Sequence, residues 1–123
     1  MIGKIYTIST PYYDILSQTT KFKVRPALVI SGPRNNDYTV LPISRVTNRK
    51  NLDKDYDVEV DIIMYPSLNL TANCYVRVHK QTTIHQSMLY KEISDLKTIY
   101  PELYLKIITL LESYNEFILE NAL

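Results

Sequence analysis

The stretch KFKVRPALVISGPRNNDYTVLPIS, residues 21–44, decides how this chain folds. Within it, ALVIS (27–31) is an unbroken apolar run bounded by turn formers, the pattern of a buried strand, and YTVLPIS (38–44) is its return. The intervening GPRNND is rich in turn residues, so residues 27–44 read as a β-hairpin. A charge directly before the buried run needs a reason. Pro26 pushes Arg25 into extended geometry and so places it at the mouth of the first strand. Its guanidinium then has two uses: an ion pair with a surface aspartate, or a planar fork for a phosphate. Because the open ends of a hairpin are neighbours, Arg25 and Ser44 flank one groove, with Arg45 beside them.

On the N-terminal side, alternation from Lys4 predicts a strand that Pro11 ends, and PYYDILSQTTKFK (11–23) reads as a long irregular connection. Long loops in small domains often carry function. On the C-terminal side, residues 45–55 are polar and mixed in charge, an exposed loop, and YDVEVDI (56–62) alternates as a strand with Val58 and Val60 on one face. YPSLNLTAN (65–73) is irregular. CYVRVHKQTTI (74–84) returns to alternation, with Cys74, Val76 and Val78 toward the core and Tyr75, Arg77 and His79 away from it. HQSML (85–89) reads as a helical turn and YKEISDL (90–96) as a last short strand. Pro101 then opens a helix whose stripe is Leu103, Ile107, Leu110, Leu111, Tyr114 and Ile118. The sum is a mainly β unit with a C-terminal helix: a small, mostly antiparallel barrel or strongly bent sheet.

A chain of 123 residues has the length of one compact domain, here 1–123. Basic residues outnumber acidic ones by one, 14 against 13, so no global field draws in nucleic acid and any polyanion site must be local. The single cysteine, Cys74, has no internal disulfide partner and sits in an apolar context, which reads as a buried inert thiol in a cytoplasmic protein. No run approaches the ~20 apolar residues of a membrane span. The two histidines, His79 and His85, lack the spacing of a metal pair, and no cofactor loop or G-x-S-x-G elbow is present, so no metal or cofactor is expected. Any chemistry falls to ordinary side chains.

The combination VRPALVIS, a turn, then TVLPIS resembles the signature of the MazF/PemK toxins of type II toxin–antitoxin systems. IGKIYTI resembles that family's opening strand, with Lys4 in place of an aspartate; NCYVRVHKQTTI resembles a later strand, and PELYLKIITLLESY its C-terminal helix. The resemblance implies a small SH3-like barrel of the CcdB/PemK type, with about five to seven strands and a C-terminal helix, working as a homodimer. It further implies a metal-independent endoribonuclease that cuts single-stranded RNA and is held in check by an antitoxin segment. Arg25 and Ser44 match the positions that carry catalysis in the family. Thr20 and Lys21 stand where many members have Glu-Gln, and Lys80 and Thr82 where many have Gln and Arg. Lys21, Lys23, Arg45, Lys80 and Thr82 are therefore candidate RNA contacts, and Tyr12, Tyr13 and Phe22 candidate stacking platforms for splayed bases. The same fold also serves the CcdB-like gyrase poisons, which do no chemistry, and a non-catalytic RNA- or antitoxin-binding member is the other alternative.

Overall fold

A computed structural model describes residues 1–123. Seven strands form it, β1 (Lys4–Asp14), β2 (Thr19–Arg34), β3 (Asp37–Ser44), β4 (Asp57–Val60), β5 (Cys74–Arg77), β6 (Thr82–His85) and β7 (Leu89–Asp95). A short helix α1 (Leu96–Ile99) and the long α2 (Pro101–Ala122) follow. The strands make one curled antiparallel sheet in the order β4-β5-β3-β2-β1-β7, with β6 pairing β3 off that path. This is the mainly β half-barrel with a C-terminal helix that the sequence implied. No helix is long and apolar enough to cross a membrane.

The β2–β3 hairpin forms where the sequence placed it, with Ala27 opposite Pro42, Leu28 opposite Leu41 and Val29 opposite Val40. Its turn is tight because Asn35 and Asn36 take φ values of 51° and 64°, a left-handed conformation that asparagine tolerates and two-residue hairpin turns demand. Gly32, at φ 121°, sits where a Cβ would lie 2.8 Å from the Asp37 carbonyl oxygen, so the β3 backbone can come that close only to a glycine.

Alternation along the hairpin divides the core. Leu28, Leu41 and Ile43 face one side, where Val58, Val60, Val76, Val78 and the helix residues Leu103 and Ile107 pack on them. Ala27, Val29 and Val40 face the other, against Ile8, Tyr38 and Ile84.

Three expectations are corrected. Pro11 does not end β1, and residues 11–23 are not irregular: β1 runs to Asp14 and pairs with β2 through Pro11–Phe22, Tyr12–Lys21, Tyr13–Thr20 and Asp14–Thr19. Beyond Ile8, β1 has left β7 and become an edge strand, where a missing proline N–H is tolerated. Residues 74–84 are not one strand. A 3-10 turn at Val78–Lys80 separates β5, which pairs Ile43 and Ser44, from β6, which pairs Asp37–Val40, so β3 serves two partners around the bend of the sheet. Arg77 does not point to solvent. It is buried because Nε donates to Asp57 Oδ1 at 2.8 Å and Nη2 to the Asn51 carbonyl at 2.8 Å, while the Asp53 amide donates to Asp57 Oδ2 at 2.8 Å. A charge can be buried when it is paired and hydrogen-bonded in this way.

Candidate functional site

Extending the β2–β3 register two residues past the Ala27–Pro42 pair puts Arg25 across from Ser44 on the same face of the sheet. At this end of the hairpin lies a cavity of about 400 Å³ lined by Arg25, Pro26, Ile43, Ser44, Arg45, Leu70, Thr71, Ala72 and Cys74. The three residues that the hairpin argument placed at one groove therefore line it together. Neither Arg25 nor Arg45 takes part in any of the ion pairs of the structure, so of the two uses open to Arg25 the surface ion pair is not made.

The lining contains no carboxylate and no imidazole. Burial pushes the Cys74 thiol up to about 11, against the opposing pull of the Arg45 charge, so at neutral pH it stays uncharged and subtracts nothing from the positive field. Two guanidinium groups, the hydroxyls of Ser44 and Thr71 and an apolar wall make a receptor for an anion that carries an apolar or aromatic group next to it. Leu70, Thr71 and Ala72 come from the irregular stretch 65–73 and were missed from the sequence. That stretch follows a 3-10 turn at Pro66–Leu68, and Asn69 takes φ 58° to redirect the chain toward the cavity. An asparagine before an apolar residue was the available signal, too common to act on.

Beyond Ile8 and Arg25 the β1–β2 pair stands clear of β7 and β3 as a two-stranded ribbon, residues 9–14 and 19–25, whose register sorts the remaining candidates. Thr10, Tyr12 and Asp14 share a face with Lys23, Lys21 and Thr19, and this is also the face of Arg25. Lys23 Nζ lies 4.3 Å from the Tyr12 ring centroid, and Lys21 Nζ pairs with Asp14 Oδ2 at 2.7 Å. The Lys21 hydrogen bond, helped by Ser17, holds the Asp14 carboxyl below its usual range. Tyr13 falls on the opposite face with Pro11, Phe22 and Val24. The register thus separates Tyr12 from Tyr13, which sequence could not do.

Thr82 pairs with Val40, on the same side of β3 as Ser44 but four residues along it, and its hydroxyl donates to the Lys80 carbonyl at 2.9 Å. Lys80 lies elsewhere. It lines a second, polar cavity of about 420 Å³ with Lys50, Asn51, Leu52, Asp53, Arg77 and His79, at the far end of β5 from Cys74.

The mouth at the open end of this hairpin is cationic and free of carboxylates, a charge and shape that suit an anion. Residues 2–109 match the family model of the PemK-like, MazF-like toxins of type II toxin–antitoxin systems, and the chain belongs to that family. Among solved structures it is similar to the Mycobacterium tuberculosis toxin MazF-mt6, with a TM-score of 0.64 at 17% identity over 92% of this chain and 96% of that one. It is also similar to an endoribonuclease in complex with its cognate antitoxin from mycobacterial species, with a TM-score of 0.65 at 19% identity over 94% of both chains. At such identities the likeness concerns the fold. No curated protein matches the chain by sequence.

Proposed function

We propose that this chain, acting as one domain over residues 1–123, is the toxin of a type II pair and cleaves single-stranded RNA without a metal ion. The observation that carries the reading is the unpaired guanidinium of Arg25 across the hairpin mouth from Ser44. In the reaction the ribose 2′-oxygen attacks the adjacent phosphorus, its proton is removed, and the P–O5′ bond breaks as O5′ takes up a proton. The products are a 2′,3′-cyclic phosphate and a 5′-hydroxyl. Negative charge grows on the non-bridging oxygens as phosphorus becomes five-coordinate. Arg25 holds two of them with its fork, and the Ser44 hydroxyl donates to the same centre. Arg45 and the Lys21–Lys23 face of the ribbon hold flanking phosphates, Tyr12 stacks a base, and the Leu70–Ala72 wall receives the base beside the scissile bond. With no carboxylate or imidazole in the lining, water carries the proton in and out.

The partners that accompany this reading are RNA, a second copy of the chain and an antitoxin segment, in the cytoplasm. Incubation of a long mixed-sequence RNA with the protein in excess chelator, read by primer extension, tests it. Defined cuts are expected, and Arg25→Ala should lower kcat by about 10²–10³. Because no histidine is the base, the rate should climb steadily with pH from 6 to 9 rather than level off near 6.5. An Arg25→Ala protein that cuts at the parental rate refutes the assignment, and a plateau near 6.5 refutes the water route.

A further inference from the structure

The cavity at the hairpin mouth has two halves, and register tells them apart. Arg25 and Ser44 fall on the face that carries Ala27, Val29 and Val40, whereas Pro26 and Ile43 fall on the other with Leu28 and Leu41. β3 pairs with β5 as far as Ser44 opposite Tyr75, so one step further brings Arg45 level with Cys74, which packs in the same cluster as Leu41 and Ile43. The Arg45 charge is felt at the Cys74 thiol, as that proximity requires. The two guanidinium groups thus reach the cavity from opposite sides. Across from Arg25 stands the wall at Leu70–Ala72, pinned at both ends: Asn69 Nδ2 donates to the Ile93 carbonyl at 3.3 Å, and Asn73 Oδ1 accepts from the Ile62 amide at 2.9 Å. Between these pins no backbone–backbone hydrogen bond falls on Leu70, Thr71 or Ala72, which leaves their N–H and C=O groups open to a ligand.

We infer that Arg45 selects guanine as the base beside the scissile phosphate. This rests on the nuclease reading above, in which Arg25 and Ser44 hold that phosphate and the wall receives the base. A guanidinium can only donate, and its planar N–H pairs match two acceptors set side by side. Adenine and uracil have no such pair, because the acceptors of adenine lie next to its amino group and the carbonyls of uracil flank an N–H. Guanine offers O6 and N7, and cytosine O2 and N3. Guanine fits better of the two: its second ring covers more of the apolar wall, and its N1–H and N2 amino donors, next to O6, meet the open carbonyls of residues 70–72. Arg45 keeps its remaining N–H groups for the flanking phosphate, since its five donors exceed what one partner uses.

The test reads binding apart from cleavage, using the full chain and labelled oligouridylates that are 2′-O-methylated throughout and carry one test base at the centre. Anisotropy should show guanine bound about tenfold or more tightly than adenine, cytosine or uracil. Replacing guanine with 7-deazaguanine, which lacks the N7 acceptor, should remove most of that margin. Arg45→Lys, which keeps the charge and gives up the fork, should bind all four bases alike, and so should Arg45→Ala. Equal binding of the four bases by the parent, a preference for another base, or absence of binding overturns the inference. So does a guanine margin that is indifferent to 7-deazaguanine or that survives Arg45→Lys. The two readings fail separately: RNA cleavage without a guanine margin sinks base selection alone, and a guanine margin without RNA cleavage sinks the nuclease alone.

Discussion

The Asp57 carboxylate, with its side chain fully buried, answers one guanidinium N–H and one backbone amide, and through Arg77 it ties the loop at Asn51 to β5. Removing its charge strands the Arg77 cation in the interior, where an unpaired ion is costly. Asp57→Asn should therefore lower stability by about 3–5 kcal/mol, measured by urea denaturation, whereas Arg25→Ala at the exposed mouth should stay within about 0.5 kcal/mol of the parent. That contrast separates a charge kept for folding from one left free for the proposed ligand. Both were visible in sequence as single arginines in strands, and only Arg25 carried a mark of its use, the proline behind it. Arg77 was misplaced because alternation sends it outward, and nothing local announces that Asp57, 20 residues earlier, will be waiting.

At the scale of the element, α2 is two helices in one. Leu103 and Ile107 are buried in the core, and Leu110, Leu111 and Tyr114 pack partly against it. Ile118, placed on the same stripe by its spacing, is 39% exposed, with Phe117 and Leu119 beside it also exposed, because the helix runs on past the sheet. Ile107→Ala should cost about 2–5 kcal/mol, while deletion of residues 116–123 should move the thermal midpoint little, as read by circular dichroism. The helix and the β2–β3 hairpin were legible because their apolar patterns meet a core that demands them. The ribbon was not, for the converse reason: both its faces lie in solvent, so the alternation of Lys21, Lys23 and Arg25 with Phe22 and Val24 answers to no core, and Pro11 argued against a strand. The mouth was half legible. Arg25, Ser44 and Arg45 follow from hairpin geometry, but the wall at Leu70–Ala72 arrives from a loop that only the tertiary fold brings near.

For the molecule as a whole, the sheet is closed along β1 and β7 by a surface triad in which Lys4 Nζ donates to Glu92 Oε1 at 2.9 Å and the Tyr6 hydroxyl donates to the same oxygen at 3.2 Å. The Lys4 hydrogen bond, with help from Tyr6, holds the Glu92 carboxyl below the usual 4.5, and Glu92 in turn holds Lys4 above 10.5. A depressed carboxyl stabilises the fold above its unfolded value and loses that contribution as pH falls through the folded value; the raised lysine loses its own only above 10.5. The difference in melting midpoint between the parent and Glu92→Gln should therefore be largest at neutral pH and shrink as pH falls below 4.5 through the lowered folded value. A gap that does not narrow as the solution is acidified would mean the pair does not act through charge. The same view of the molecule shows an asymmetry in how its margins are guarded. The outer strands carry charge, Glu59 on β4 and Lys91 and Glu92 on β7, which discourages sheets from stacking edge to edge. The ribbon ends in Ile15 and Leu16, 80% and 96% exposed, with no charge between them. Left without company, such a tip makes the protein sticky, so its colloidal lifetime in a crowded solution, and not its folding stability, should set how long it persists alone.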